Sequence, residues 1–317
     1  MFKTNIISSF ELKLLVIFTG MNVIDFSQRF PDKESCYLYL EELKWGKGFQ
    51  CSRCGHNQYY KGKHGFSRRC KGCTYEESVT ANTLFHGMKM SILKAFHLLF
   101  RISAKKKGMS TVELGYEVGI QQKSAWLFKR KAQAGMQSDK KKKIDTAVHV
   151  DEFVVGGKEE GKPGRSLSNK KATMILMERI DEKTVGRVYL QQIENYQSDT
   201  LKYAIKEHVS DAAEITADEY SSYKSLKSVM PNLTTQPSDE GKNFKQLHEQ
   251  IMLFKIWLRG IHHKCSPQHY QAYLDEYCYR FNRRGHRKGI FHNLIARMMN
   301  QIPHPYPLLK KLCDYSA

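Results

Sequence analysis

Apolar positions along this chain follow two rhythms, and one gives way to the other near residue 144. Residues 21–45 read as a short lead-in followed by one amphipathic helix, with Asp32 or Ser35 available to cap it. Residues 46–80 carry no helical period and are rich in glycine, cysteine and basic residues. Helical spacing returns over 88–138, where Ile92, Phe96, Leu99 and Ile102 share one face. The run Lys140–Lys143 then reads as a solvated linker. Beyond it the pattern turns strand-like: Ala147–Val155 ends in Gly156-Gly157, and Thr173–Ile180 and Val185–Ile193 are joined by the polar turn Asp181–Lys183. A helix over about 197–208 and a short strand Ala213–Ala217 precede Asp218, and helices fill the chain from Phe244 to about Asn300. Strands in series, a helix, another strand and more helices predict a mixed α/β fold, a sheet with helices packed on it.

The expected divisions are a lead-in and helix over 1–45, a cysteine-rich module over 46–80, a helical region over 81–139, a large α/β domain over 144–300 and a tail over 301–317. The apolar stretch Leu14–Phe18 is too short to span a membrane and lacks a cleavage-site pattern. Met21 is a candidate alternative start, because domain-like patterning begins just after it.

Charge narrows the partners. The 51 Lys and Arg exceed the 32 Asp and Glu by 19, a surplus that favours a polyanion, because neutralising phosphates releases condensed counterions. A ribosome-associated or merely soluble basic protein is the alternative. The cysteines suit a reducing cytoplasm better than a secreted disulfide framework.

Four cysteines form two pairs, Cys51-x-x-Cys54 and Cys70-x-x-Cys73, fifteen residues apart. Two such knuckles complete a tetrahedral sulfur shell for zinc, and a closed shell makes that ion structural. Gly55 and Gly72 supply tight turns beside the sulfurs. Arg53, Lys61, Lys63, Arg68, Arg69 and Lys71, interleaved with Tyr59, Tyr60 and Phe66, offer a DNA-facing surface, with protein docking as the rival. Downstream, residues 110–130 have the rhythm of helix, tight turn at Gly119, helix. As a helix-turn-helix, this segment would present Gln122 and Lys123 near the start of its second helix and Lys129 and Arg130 toward its end for groove and phosphate contacts. An ordinary helical hairpin shares the pattern.

Asp151 sits within an apolar strand, where an uncompensated carboxylate is costly. Asp218 follows 67 residues later at the end of another strand-like run. Two such aspartates on neighbouring strands suit a pair of Mg²⁺ ions and in-line phosphoryl transfer, with Glu152 and Glu219 facing away by strand alternation. Tyr273, Leu274, Tyr277 and Phe281 form an aromatic stripe that reads as packing of a helix onto the sheet.

Five strings carry a resemblance: FPDKESC at 30–36, VDEFVVGGK at 150–158, DEYSSY at 218–223, KIWLRGIHH at 255–263 and YLDEYCYRFNRR at 273–284. On them the chain resembles the DDE-type insertion-sequence transposases with an N-terminal zinc ribbon, the ISXO-type branch, from about Phe30 to Arg284. The resemblance implies an RNase-H-like catalytic domain with Asp151 and Asp218 as the first two catalytic acids. It also implies that His248 fills a third position usually held by Glu or Asn, with Lys255 two helical turns on. Glu249 is the neighbouring alternative. Histidine suits Mn²⁺ better than Mg²⁺, so water or phosphate positioning is the other role for His248. The implied activity is metal-dependent cleavage at terminal inverted repeats of double-stranded DNA and strand transfer into target DNA. It would be carried out by a homo-oligomer in the cytoplasm, at the bacterial nucleoid. A DNA-binding regulator or inactive relic, and a nuclease without strand transfer, are the rival readings.

Overall fold

The computed structural model describes residues 21–304 apart from 106, 140–141, 157–169 and 263–264. Expectations for residues 1–20, Lys140, Lys141, Gly157, Lys158 and the tail beyond 304 lie outside the described residues. The described residues divide into two units, one holding those up to Gly135 together with those from Gly285 to residue 304, the other Met136–Arg284.

In chain order the first unit has helices α1 (Val23–Arg29) and α2 (Lys33–Trp45) and the small strands β1 (Tyr59–Lys61), β2 (Ser67–Cys70) and β3 (Glu76–Ser78). Helices α3 (Ile92–Ala104), α4 (Thr111–Val118) and α5 (Gln122–Met136) follow. The lead-in is itself helical, which corrects the expectation of one helix before residue 45. Asn22 accepts from the backbone N–H of Ile24 and Asp25 to start α1. Pro31 then separates the two helices, because the residue before a proline is driven out of helical geometry. Asp32 restarts the chain as the cap of α2, accepting from Ser35 N–H at 2.8 Å. The helical spacing on α3 is borne out: Ile92, Phe96, Leu99 and Ile102 are all buried.

The second unit contains β4 (Val148–Val155), β5 (Lys171–Arg179), β6 (Val185–Ile193), α6 (Ser198–His208), β7 (Ile215–Ala217), α7 (Ser221–Leu226), β8 (Leu233–Thr235), α8 (Lys245–Ile261) and α9 (Pro267–Phe281). Its sheet runs β6-β5-β4-β7-β8. The first three strands are an antiparallel meander, and after the α6 crossover β7 joins β4 in parallel, with β8 parallel to β7. This is the RNase-H-like arrangement. One face buries Val148, Val150, Ile215 and Ala217 against Leu201 and Ile205 of α6 and Tyr223 of α7. The other buries Phe153, Ile175 and Leu190 against Leu247 and Phe254 of α8 and Tyr270, Tyr273 and Tyr277 of α9, so the aromatic stripe is packing. The outer edge of β6 is closed by side chains of α9 and its end. Gln271 bonds Gln192 N and Leu190 O, and Asn282 bonds Val188 N and O.

The last helix, α10 (Ile290–Met299), belongs to the first unit. Phe291 packs in T-shaped geometry against Phe26 and Phe96, so the large domain ends near Arg284 and not at 300. Its apolar face is satisfied by the aromatic cluster of α1 and α3.

Candidate active site and zinc centre

Cys51, Cys54, Cys70 and Cys73 bring all four sulfurs within 4.8 Å of one another. The Sγ separations Cys51–Cys73 and Cys54–Cys70 are each 3.6 Å. Thiolates about 2.3 Å from one tetrahedral zinc stand roughly 3.8 Å apart, so the donors fit a structural zinc ion in chemistry and in size. Gly55 turns the first knuckle at φ 77°, and Gly72 N–H donates to Cys70 Sγ at 3.3 Å. Glu77, buried in β3, fixes the ribbon to α2 by accepting from Ser52 Oγ and pairing with Lys44, each at 2.8 Å. Arg68 is spent in the same way. Its guanidinium lies 4.5 Å from the Trp45 ring centroid and 4.2 Å from that of Tyr59 and pairs with Glu41 at 3.1 Å, which removes it from the expected DNA-facing set.

In the other unit the two aspartates come together through register. Val148 pairs with Ile215 and His149 with Thr216 across β4 and β7, an offset of 67 residues. Continuing that offset sets Asp218 beside Asp151. Val150 and Ala217 both point into the α6 side of the sheet. Side chains alternate along a strand, so Asp151 and Asp218, one residue on, face the α8 side together. Adjacent strands are about 4.8 Å apart. Asp151 Oδ1 accepts from Glu152 N–H at 2.7 Å and Asp218 Oδ1 from Tyr220 N–H at 3.0 Å. Hard carboxylate oxygens on one face suit Mg²⁺ or Mn²⁺.

Helix α8 lies over this face. His248 Nε2 is 3.4 Å from Asp151 Oδ2. That contact raises the imidazole above its ordinary value; partial burial opposes the rise, and the charges of Asp151 and Asp218 add to it. Lys255, two turns along, sets its ammonium 5.2 Å from the Phe153 ring centroid. Partial burial holds that ammonium below its usual value, Arg259 adds to the effect, and the Asp151 charge pulls the other way. Both side chains therefore sense the Asp151 carboxylate. Among the described residues the four cysteines are the one group of three or more such donors gathered closely enough to hold a single metal ion.

Two family models match the chain: the ISXO2-like transposase domain over residues 143–282 and the transposase zinc-ribbon domain over 31–76. Both describe the IS1595 group. The chain belongs to the IS1595-type DDE transposases with an N-terminal zinc ribbon. No curated protein matches it. The transposase is thus a DNA-binding, metal-binding protein, and among its described residues no helix is long and apolar enough to cross a membrane.

Two of the four expected DNA contacts on α5 are corrected by burial. Gly119, at φ 61° and ψ 56°, makes the left-handed turn between α4 and α5. Gln122 and Lys123 beyond it are exposed. Lys129 and Arg130, however, retain only 3% and 5% of their surface, and Lys129 Nζ donates to Met109 O at 2.8 Å. They face inward on a helix whose second half is covered on every side. Sequence reasoning also missed the partner of Glu152. Its carboxylate faces away from the α8 side, as expected, and there accepts from the buried Tyr223 hydroxyl at 2.6 Å. Only the repeated tyrosines of Tyr220-Ser-Ser-Tyr223 hinted at it.

Proposed function

We propose that this transposase cleaves DNA at the ends of its insertion sequence and joins the freed 3′-hydroxyl to target DNA, using Asp151 and Asp218 as the carboxylates that hold Mg²⁺ or Mn²⁺. The observation that carries this reading is the common register offset of β4 and β7, which sets both carboxylates side by side on the face covered by α8. Bound divalent ions supply the charge that activates an attacking oxygen and steadies a leaving one. Asp151 and Asp218 contribute fixed anionic oxygens, each oriented by a backbone N–H. His248 stands in the third position, beside Asp151, where a protonated imidazole positions water or a DNA phosphate. Lys255 offers a cation to the strand on the same helix face.

Gln122 and Lys123 at the exposed start of α5, with the remaining basic residues of the zinc ribbon, are the proposed readers of the terminal inverted repeats. Bringing two DNA ends together calls for a homo-oligomer, working on the nucleoid in the bacterial cytoplasm. Incubating labelled terminal repeats and a target plasmid with the zinc-loaded protein and Mn²⁺ tests the reading. Joined products support transposition, nicks without joining indicate a nuclease, and binding without either indicates a regulator or relic.

A further inference from the structure

We propose that Glu152 and Tyr223 are a positioning pair that sets the spacing of the Asp151 and Asp218 carboxylates from the opposite face of the sheet. The inference rests on the reading of those aspartates as the metal-holding pair. The strand ladder between β4 and β7 ends at His149 and Thr216, two residues short of both aspartates. Beyond that point β4 is held by β5 and β7 by β8, and among the described residues no ladder pair joins the two strands to each other where the aspartates lie. The bond from the Tyr223 hydroxyl to Glu152 Oε2, at 2.6 Å, spans that gap. Glu152 is the next residue after Asp151, and Tyr223 sits on α7, in the segment that leaves Asp218.

Both ends of this tie are built into buried structure, Glu152 in the β4–β5 ladder and Tyr223 in the core under α6. Tyr223 is wholly buried and packs among Leu201, Leu226 and the β4 and β7 side chains. Ser222 Oγ donates to Tyr196 O at 2.7 Å and Ser198 Oγ to Ser222 O at 3.1 Å, anchoring α7 to the chain between β6 and α6. Asp218 accepts from Tyr220 N–H at the entry to the same helix. A shift of α7 therefore moves Asp218, and the tie couples that shift to Asp151. Burial and the neighbouring Glu152 push the Tyr223 hydroxyl well above its usual range, so it remains a donor. Stability alone does not explain the pair. A buried carboxylate is costly, and an apolar pair of similar volume fills such a space at least as well.

The test uses full-length, zinc-loaded protein, with Mn²⁺ binding followed by calorimetry and folding followed by thermal melting. Tyr223→Phe is expected to raise the Mn²⁺ half-saturation concentration about tenfold. Adding Glu152→Leu to Tyr223→Phe removes the buried carboxylate that has lost its tyrosine donor and recovers melting temperature, yet the half-saturation concentration stays raised. Glu152→Gln keeps an acceptor for the tyrosine and stays close to wild type. Should Tyr223→Phe not fold, the double variant carries the same reading. A wild-type Mn²⁺ midpoint in the double variant overturns the inference, because the pair then serves stability only. Equal Mn²⁺ binding by wild type and Asp151→Asn removes the underlying reading and the inference with it. A normal loss in Asp151→Asn beside unshifted positioning variants removes the inference alone.

Discussion

The Tyr39 hydroxyl meets Nδ1 of His292 at 2.7 Å, across 253 residues of sequence. This contact closes the first unit, tying α2 to a helix that returns after the whole catalytic domain has been traversed. Both side chains are buried, Tyr39 against the rings of Phe30 and Phe96 and His292 against that of Phe291. Burial, with a smaller contribution from Arg29, lowers His292 to about 4 from its ordinary 6.5.

A neutral buried histidine makes the first unit acid-sensitive. Above pH 6.5 neither state is protonated there, and the group has no effect on stability. Between 6.5 and about 4 the unfolded chain takes up a proton that the folded chain refuses, so stability falls across that window and levels below it. A shift of this size corresponds to about 3 kcal/mol. Denaturant unfolding at pH 7 and pH 4.5 should show this loss in wild type. His292→Gln should lose less on acidification, even if it begins less stable; an equal loss would place the acid sensitivity elsewhere.

Much of the catalytic unit was legible because its signals are local. Val185–Ile193 is a strand with the bounds its apolar run suggests, and Tyr273 and Tyr277 pack as their spacing demands. The two aspartates were readable as a pair because Asp151 interrupts one apolar strand and Asp218 ends another, and the separation of 67 residues turned out to be the register offset itself. Helix α1 was missed because seven residues are too few to show a period. The return of α10 was missed because an apolar helix face does not say which core it will join. Lys129 and Arg130 were misplaced on the same ground: a cation is usually outside, and only tertiary packing decides otherwise. The Glu152–Tyr223 contact is non-local, so alternation told where Glu152 points but not what it meets.

The α5 correction gives opposite expectations for two lysines on one helix. Lys123→Ala should leave melting temperature unchanged, weaken binding to the terminal repeats and reduce the salt dependence of binding by about one unit of slope. Lys129→Ala should destabilise the fold by about 1–3 kcal/mol, because Met109 O loses its buried donor. Filter binding across a salt series, paired with thermal melting, separates them. A wild-type melting temperature for Lys129→Ala would restore that residue to the DNA surface.

The zinc centre should hold one ion per chain, about 1 mol per mol by elemental analysis, and Cys70→Ser should reduce this to near zero. Removing zinc by chelation should release the restraint on Glu77 and Arg68, loosening the ribbon from α2, while the second unit keeps its own melting transition. Retention of stoichiometric zinc by the serine variant would show that the four sulfurs do not share one ion.

The central claim is that Asp151 and Asp218 act as one metal-holding unit, and cleavage of labelled repeat ends by the single and double asparagine variants tests it most directly. Residues that work as a unit are strongly non-additive. Asp151→Asn and Asp218→Asn should each lower the Mn²⁺-dependent cleavage rate by roughly a thousandfold or more, and the double variant should be no slower than either. Wild-type cleavage by either single variant, or losses that simply multiply in the double, would contradict the account.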